Sequence, residues 1–68
     1  MMTVAYIEAE IERIKTELAG DDEVQHSSED QLHQEVLTAI ADGECEDPEA
    51  CARAALMTCE LGFSRWCA

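Results

Sequence analysis

The amino-acid sequence predicts an all-α fold, a small three-helix bundle or a helical hairpin with a third helix, completed by dimerisation. Three observations carry that prediction. Apolar residues recur at helical intervals, helix-start and helix-stop residues fall at matching places, and no run of β-branched residues with period two occurs along the chain. The 68 residues are read as one domain with helices over about 3–19, 28–42 and 48–61 and a short tail over 62–68.

Thr3 is placed to cap the first helix, after which Val4, Ile7, Ile11, Ile14 and Leu18 recur at alternating intervals of three and four residues. This heptad stripe is the candidate core and the candidate dimer seam. Charged residues take the other faces, where Glu10/Arg13, Glu12/Lys15 and Arg13/Glu17 can pair across a turn, and Gly20 stops the helix. The following DDEVQHSS reads as a polar connector, although the second helix could start as early as Asp22. Ser28 and Gln31 have the spacing of a capping box, and Glu29 and Asp30 put negative charge where the helix dipole favours it. Leu32, Val36, Ala39 and Ile40 then form an apolar face widened by Leu37, and Gly43 supplies a left-handed stop. Asp47 is a good N-cap, Pro48 suits the first helical position, and Gly62 ends the third helix before the tail FSRWCA.

A chain of this length buries only about 60% of the surface its unfolded form exposes, so self-association is a natural way to complete the core. Its composition is 47% hydrophobic, which argues against disorder, but much of that is alanine and cysteine. Sixteen acids against four bases give a formal charge of -12, and from Glu17 to Ala52 there are twelve acids and no lysine or arginine. Such a surface repels phosphate, which disfavours direct nucleic-acid binding and attachment to an anionic membrane and favours a basic partner. The opening MMTVAYIEAE has neither a basic segment nor an uninterrupted apolar run, so a cytoplasmic location is expected.

The four cysteines are spaced Cys45-x5-Cys51-x7-Cys59-x7-Cys67, without the close pairs of a structural zinc site. Cys51 and Cys59 fall on one predicted helix about 12 Å apart along its axis, and with Ala55 they form a small-residue stripe. Buried reduced thiols are the expectation; a zinc site using Cys45, Cys67 or a histidine and a disulfide from Cys45 to Cys67 are the alternatives. His26 in the connector and His33 at the edge of an apolar face are the only imidazoles, and neither has a setting for activating a nucleophile. The glycines are isolated helix stops and not a phosphate loop. Asp42, Glu44 and Glu46 alternate as calcium ligands would, but the position that an EF-hand reserves for glycine is Asp47. An acyl carrier protein would need serine in an Asp-Ser-Leu context, whereas the residues here are Ser27-Ser28-Glu29. No catalytic residue, metal or cofactor is assigned.

What remains is the acidic surface. Asp21, Asp22, Glu23, Glu29, Asp30, Glu35, Glu44, Glu46, Asp47 and Glu49 are the candidate partner-binding residues, because carboxylates on neighbouring helical positions lie about 5–6 Å apart and can imitate a row of phosphates. In length, acidity, helical content and lack of catalytic residues the whole chain resembles small phage-encoded proteins that disable host machinery, including acidic anti-CRISPR and anti-restriction proteins. The resemblance implies a stoichiometric inhibitor in the host cytoplasm that binds a basic surface of a host protein or nucleoprotein complex. The alternative is a helical oligomerisation or adaptor module that docks through the Val4-to-Leu18 stripe and the apolar tail residues Phe63 and Trp66.

Overall fold

The structure is a computed structural model that describes residues 1–63. Three helices, α1 (Val4–Thr16), α2 (Asp22–Ala41) and α3 (Pro48–Leu56), are followed by a 3₁₀ turn over Met57–Glu60. Each helix packs against the other two. Among the described residues the only extended pairing is an isolated parallel bridge between Met2 and Cys45.

The helix starts follow from side-chain caps. The Thr3 hydroxyl accepts the Tyr6 N–H at 3.1 Å, Asp21 accepts the Val24 N–H at 3.1 Å, and Asp47 accepts the Ala50 N–H at 3.1 Å with Pro48 in the first turn. The second of these corrects the sequence reading, which began the helix near Ser28. Asp21 is the true cap, so Ser28 and Gln31 lie well inside a 20-residue helix and make no capping box. Helix α1 ends at Thr16, short of the expected residue 19, and the connector shrinks to the turn that follows it, where Gly20 takes a φ of 92°.

The end of α2 is a Schellman motif. Gly43 has a φ of 69°, its N–H donates to the Ile40 carbonyl at 3.2 Å, and the Glu44 N–H donates to the Ala39 carbonyl at 2.8 Å. This turn sends the chain beneath the N-terminus. There the Met2 N–H donates to the Glu44 carbonyl at 2.8 Å and the Glu46 N–H donates to the Met2 carbonyl at 3.1 Å. The α-helical part of α3 is shorter than expected, ending at Leu56. Its released carbonyls need partners. The Ala55 carbonyl accepts from the Thr58 hydroxyl at 3.1 Å and lies 3.2 Å from His33 Nε2 on α2.

The core consists of Ile7 and Ile14 from α1, Leu32 and Val36 from α2, Cys51, Ala54 and Ala55 from α3, and Phe63. Val4, Ile11 and Leu18 are half-buried against the same cluster, so the whole α1 stripe finds apolar partners within one chain. Phe63 is 8% exposed, so it is a core residue and not the free apolar anchor read from the sequence; its companion Trp66 lies outside the described residues, as does Cys67. Leu37, expected to widen the inward face of α2, is 66% exposed. Cys51 is fully buried as expected, whereas Cys59 is exposed because the chain has left the α-helical path before reaching it.

Gly43 and Gly62 provide a controlled test of the turn. Neither has an atom within 4 Å of the place a Cβ would occupy, but only Gly43 has positive φ. Gly43→Ala should lower stability by about 1 kcal/mol, or roughly 4–8 °C in Tm. Gly62→Ala should leave the melting curve nearly unchanged; equal losses at both positions would exclude the turn as the cause.

Candidate partner-binding surface

The polar side of α2 is built at helical spacing from Gln31, Gln34, Glu35, Thr38 and Asp42, which therefore form one stripe. Together with Met1, Met2, Tyr6, Asp30 and Glu44 it lines a broad open groove of ≈ 870 Å³ between the N-terminus and α2. The groove holds four carboxylates, Asp30, Glu35, Asp42 and Glu44, and no lysine or arginine is among its lining residues. The Tyr6 hydroxyl donates to Glu35 Oε1 at 3.1 Å, which ties the start of α1 to the middle of this stripe.

The other predicted acidic residues are dispersed. Asp21, Asp22 and Glu23 are exposed at the N-terminus of α2, about 20 Å along the helix from Glu35. Asp21 is engaged as a cap, and Asp22 and Glu23 lie where the helix dipole favours negative charge. Glu46, Asp47 and Glu49 are exposed around the start of α3. Asp47 caps that helix, and Glu49 is paired with Arg53 at 3.2 Å. Of the ion pairs expected on α1, Arg13 with Glu10 at 2.9 Å is present.

Glu29 is a correction. It is 4% exposed and faces inward, so it is not part of the acidic surface. Its neighbour His26 is also buried and lies on α2, not in a connector; its Nε2 is 3.4 Å from Asp30 Oδ2. His26, Glu29 and Asp30 bring one donor atom each within 4.8 Å of one another, the set of described residues whose chemistry suits a divalent cation. Gln25, on the same inward side, donates from Nε2 to the Ile14 carbonyl at 2.9 Å and so satisfies a backbone group in the last turn of α1. Sequence reasoning missed this inward polar series because its members resemble a solvated connector. It also omitted Asp42 from the acidic site, although the helix read over 28–42 already set Gln31, Glu35, Thr38 and Asp42 on one stripe.

His33, expected at the boundary of an apolar face, is half-buried with Nε2 3.0 Å from the Thr58 hydroxyl as well as 3.2 Å from the Ala55 carbonyl. It links α2 to the end of α3. Below it, His33, Val36, Leu37, Ile40, Ala52, Ala55 and Leu56 line a second, apolar concavity beside exposed Leu56 and Met57. Among the described residues no helix is long and apolar enough to cross a membrane. No protein-family model matches the chain, and no curated protein or solved structure is significantly similar to it.

The Tyr6–Glu35 contact has a pH signature. Partial burial, then the hydrogen bond to Glu35 and the charges of Glu35 and Glu10, raise the Tyr6 hydroxyl above its ordinary value of 10.0. The unfolded chain thus ionises first, so the contribution of Tyr6 is present below pH 10 and lost as pH rises through its folded value. Tyr6→Phe should flatten the fall of the urea midpoint over that alkaline range. An unchanged slope would show that the hydroxyl is equally solvated in both states.

Proposed function

We propose that the chain acts by binding and not by catalysis, as an acidic stoichiometric inhibitor that occupies a basic, nucleic-acid-binding surface of a host protein or nucleoprotein complex. The observation that carries this reading is the groove lined by Asp30, Glu35, Asp42 and Glu44 with no lysine or arginine among its lining residues. Asp30, Glu35 and Asp42 follow one another at about 7.5 and 10.5 Å along the axis of α2, and Glu44 extends the series beyond the helix end. A lysine- or arginine-rich surface would be steered to this side by the summed field and would pair with the carboxylates within the concavity. Tyr6, Gln31 and Gln34 add hydrogen-bonding groups that suit guanidinium donors.

A second reading rests on a different observation. Leu37, Leu56 and Met57 are exposed beside the apolar concavity between α2 and α3, a surface that suits an adaptor or a homodimer. In this reading the docking residues are those three, and acidity serves solubility.

Two triple variants with equal charge change separate local from overall electrostatics. Glu35→Gln/Asp42→Asn/Glu44→Gln alters the groove, and Glu8→Gln/Glu12→Gln/Glu17→Gln alters exposed positions of α1 and the turn after it. Binding of an arginine-rich peptide, measured by calorimetry at low and moderate salt, should weaken more than tenfold for the groove variant and only a few-fold for the α1 variant. Proteins captured from a bacterial lysate on the immobilised chain should be released by duplex DNA. Equal losses for both variants would remove the groove as the site. Retention in DNA and salt, with loss on Leu37→Asp or Leu56→Asp, would establish the apolar reading in its place.

A further inference from the structure

Cys45 and Cys51 meet at the point where the N-terminus crosses the loop between α2 and α3. Cys45 is the bridge partner of Met2, and the Cys51 Sγ–H points to the Met2 carbonyl at 4.0 Å. A side-chain interaction with Cys45, then burial, holds the Cys51 thiol above its ordinary range. Their surroundings differ. Cys45 is half-buried in a loop outside both helices, whereas Cys51 lies in α3, has no exposed surface, and donates its backbone N–H to the Asp47 carbonyl at 2.8 Å.

We propose that Cys45 and Cys51 form a dithiol–disulfide site that exchanges with low-molecular-weight disulfides such as oxidised glutathione. The Cys45 thiolate attacks one sulfur of the small disulfide, forming a mixed disulfide and releasing one small thiolate. Cys51 then loses its proton and attacks Cys45 Sγ, which forms the Cys45–Cys51 bond and expels the second small thiolate. The chain loses two electrons and two protons, and the small disulfide gains them as two thiols. Exposure sets the order, since only Cys45 is open to solvent while Cys51 has Cys45 beside it. The sulfurs must close to about 2.0 Å, and the loop position of Cys45 gives it freedom that the helical Cys51 lacks. The site is distinct from the Cys45–Cys67 pairing considered from the sequence and independent of the proposed partner-binding role.

The test uses the full reduced chain equilibrated in glutathione buffers of graded poise, quenched in acid, alkylated and digested with proteases that cut after glutamate and after arginine. Glu46 and Glu49 lie between Cys45 and Cys51, and Arg53 lies between Cys51 and Cys59, so each of these cysteines falls in its own peptide and peptides remain joined only when bridged. A Cys45–Cys51 linked species is expected in monomeric protein, with alkylation of Cys51 at least tenfold lower than in Cys45→Ser under the same buffer. Cys59→Ser should leave the bridge intact. Glutathione on Cys45 with Cys51 free at every poise, or bridging of Cys45 to Cys59 or Cys67, would overturn the assignment, and the wild-type peptide map decides this even if Cys45→Ser does not fold.

Discussion

The close approach of α1 to the small-residue face of α3 is the constraint on which the other features depend. The buried residues of α3 are Cys51, Ala54 and Ala55, which supply little volume of their own. Ile7 and Ile14 from α1, 0% and 1% exposed, fill the space that these small side chains leave, and α2 adds Leu32 and Val36. Burial of each large aliphatic side chain contributes about 1.5–3 kcal/mol, so in a core this small two isoleucines matter a great deal. The N-terminal segment is held by the same approach, because Met2 hydrogen-bonds to the loop that leads into α3. That in turn fixes Tyr6 and Glu44 in the lining of the acidic groove.

Polar side chains complete the interior where apolar ones are scarce. Gln25 closes a carbonyl of α1, His33 reaches the end of α3, and Thr58 is fully buried with its hydroxyl on Ala55. These groups join helix to helix at positions where backbone carbonyls lose their helical partners, so burial of the polar atoms is matched by hydrogen bonds. Among the described residues no buried side-chain nitrogen or oxygen is left without one. The half-buried imidazole of His33 and the amide of Gln25 are thus accounted for by the architecture.

The first and third helix starts, the stop at Gly43, and the inward stripe of α1 were legible because each depends on local chemistry. Caps and left-handed glycines are decided within four residues, and the α1 stripe uses bulky aliphatic residues at nearly every inward position. The beginning of α2 was hidden by the opposite situation. Its inward positions are Gln25, His26 and Glu29, so the amphipathic signal appears only from Leu32 onward and a plausible but unused capping pattern at Ser28 precedes it. Glu29 and Phe63 were misplaced for a related reason. Burial of either depends on which elements pack over it, and neither a carboxylate inside a helix nor an aromatic after a helix stop announces that from its neighbours. The groove was half legible: its residues share a helical face, but the contribution of Glu44 requires the Schellman turn that carries the chain back beneath Met2.

Helix α2 separates the two surfaces that compete for a functional role. The acidic stripe passes through Gln31, Gln34, Glu35, Thr38 and Asp42, while Leu37 belongs to the apolar concavity with Ile40, Ala52 and Leu56. Thr38 and Leu37 are adjacent in sequence and about 100° apart around the helix, so the surfaces diverge from neighbouring residues without crossing the core. Glu35 and Asp42 stand two turns apart, about 10.5 Å along the axis and close to the Debye length of about 8 Å at physiological salt, so their fields add in part along the stripe. The apolar side has no such range and acts only on contact. A partner that is drawn by charge would therefore meet the groove before it met Leu37 or Leu56, whereas an apolar partner would have to approach against or apart from that field. The same helix can serve either mode, and the geometry makes them physically separable: changes on the stripe alter long-range attraction, and changes at Leu37 or Leu56 alter close packing.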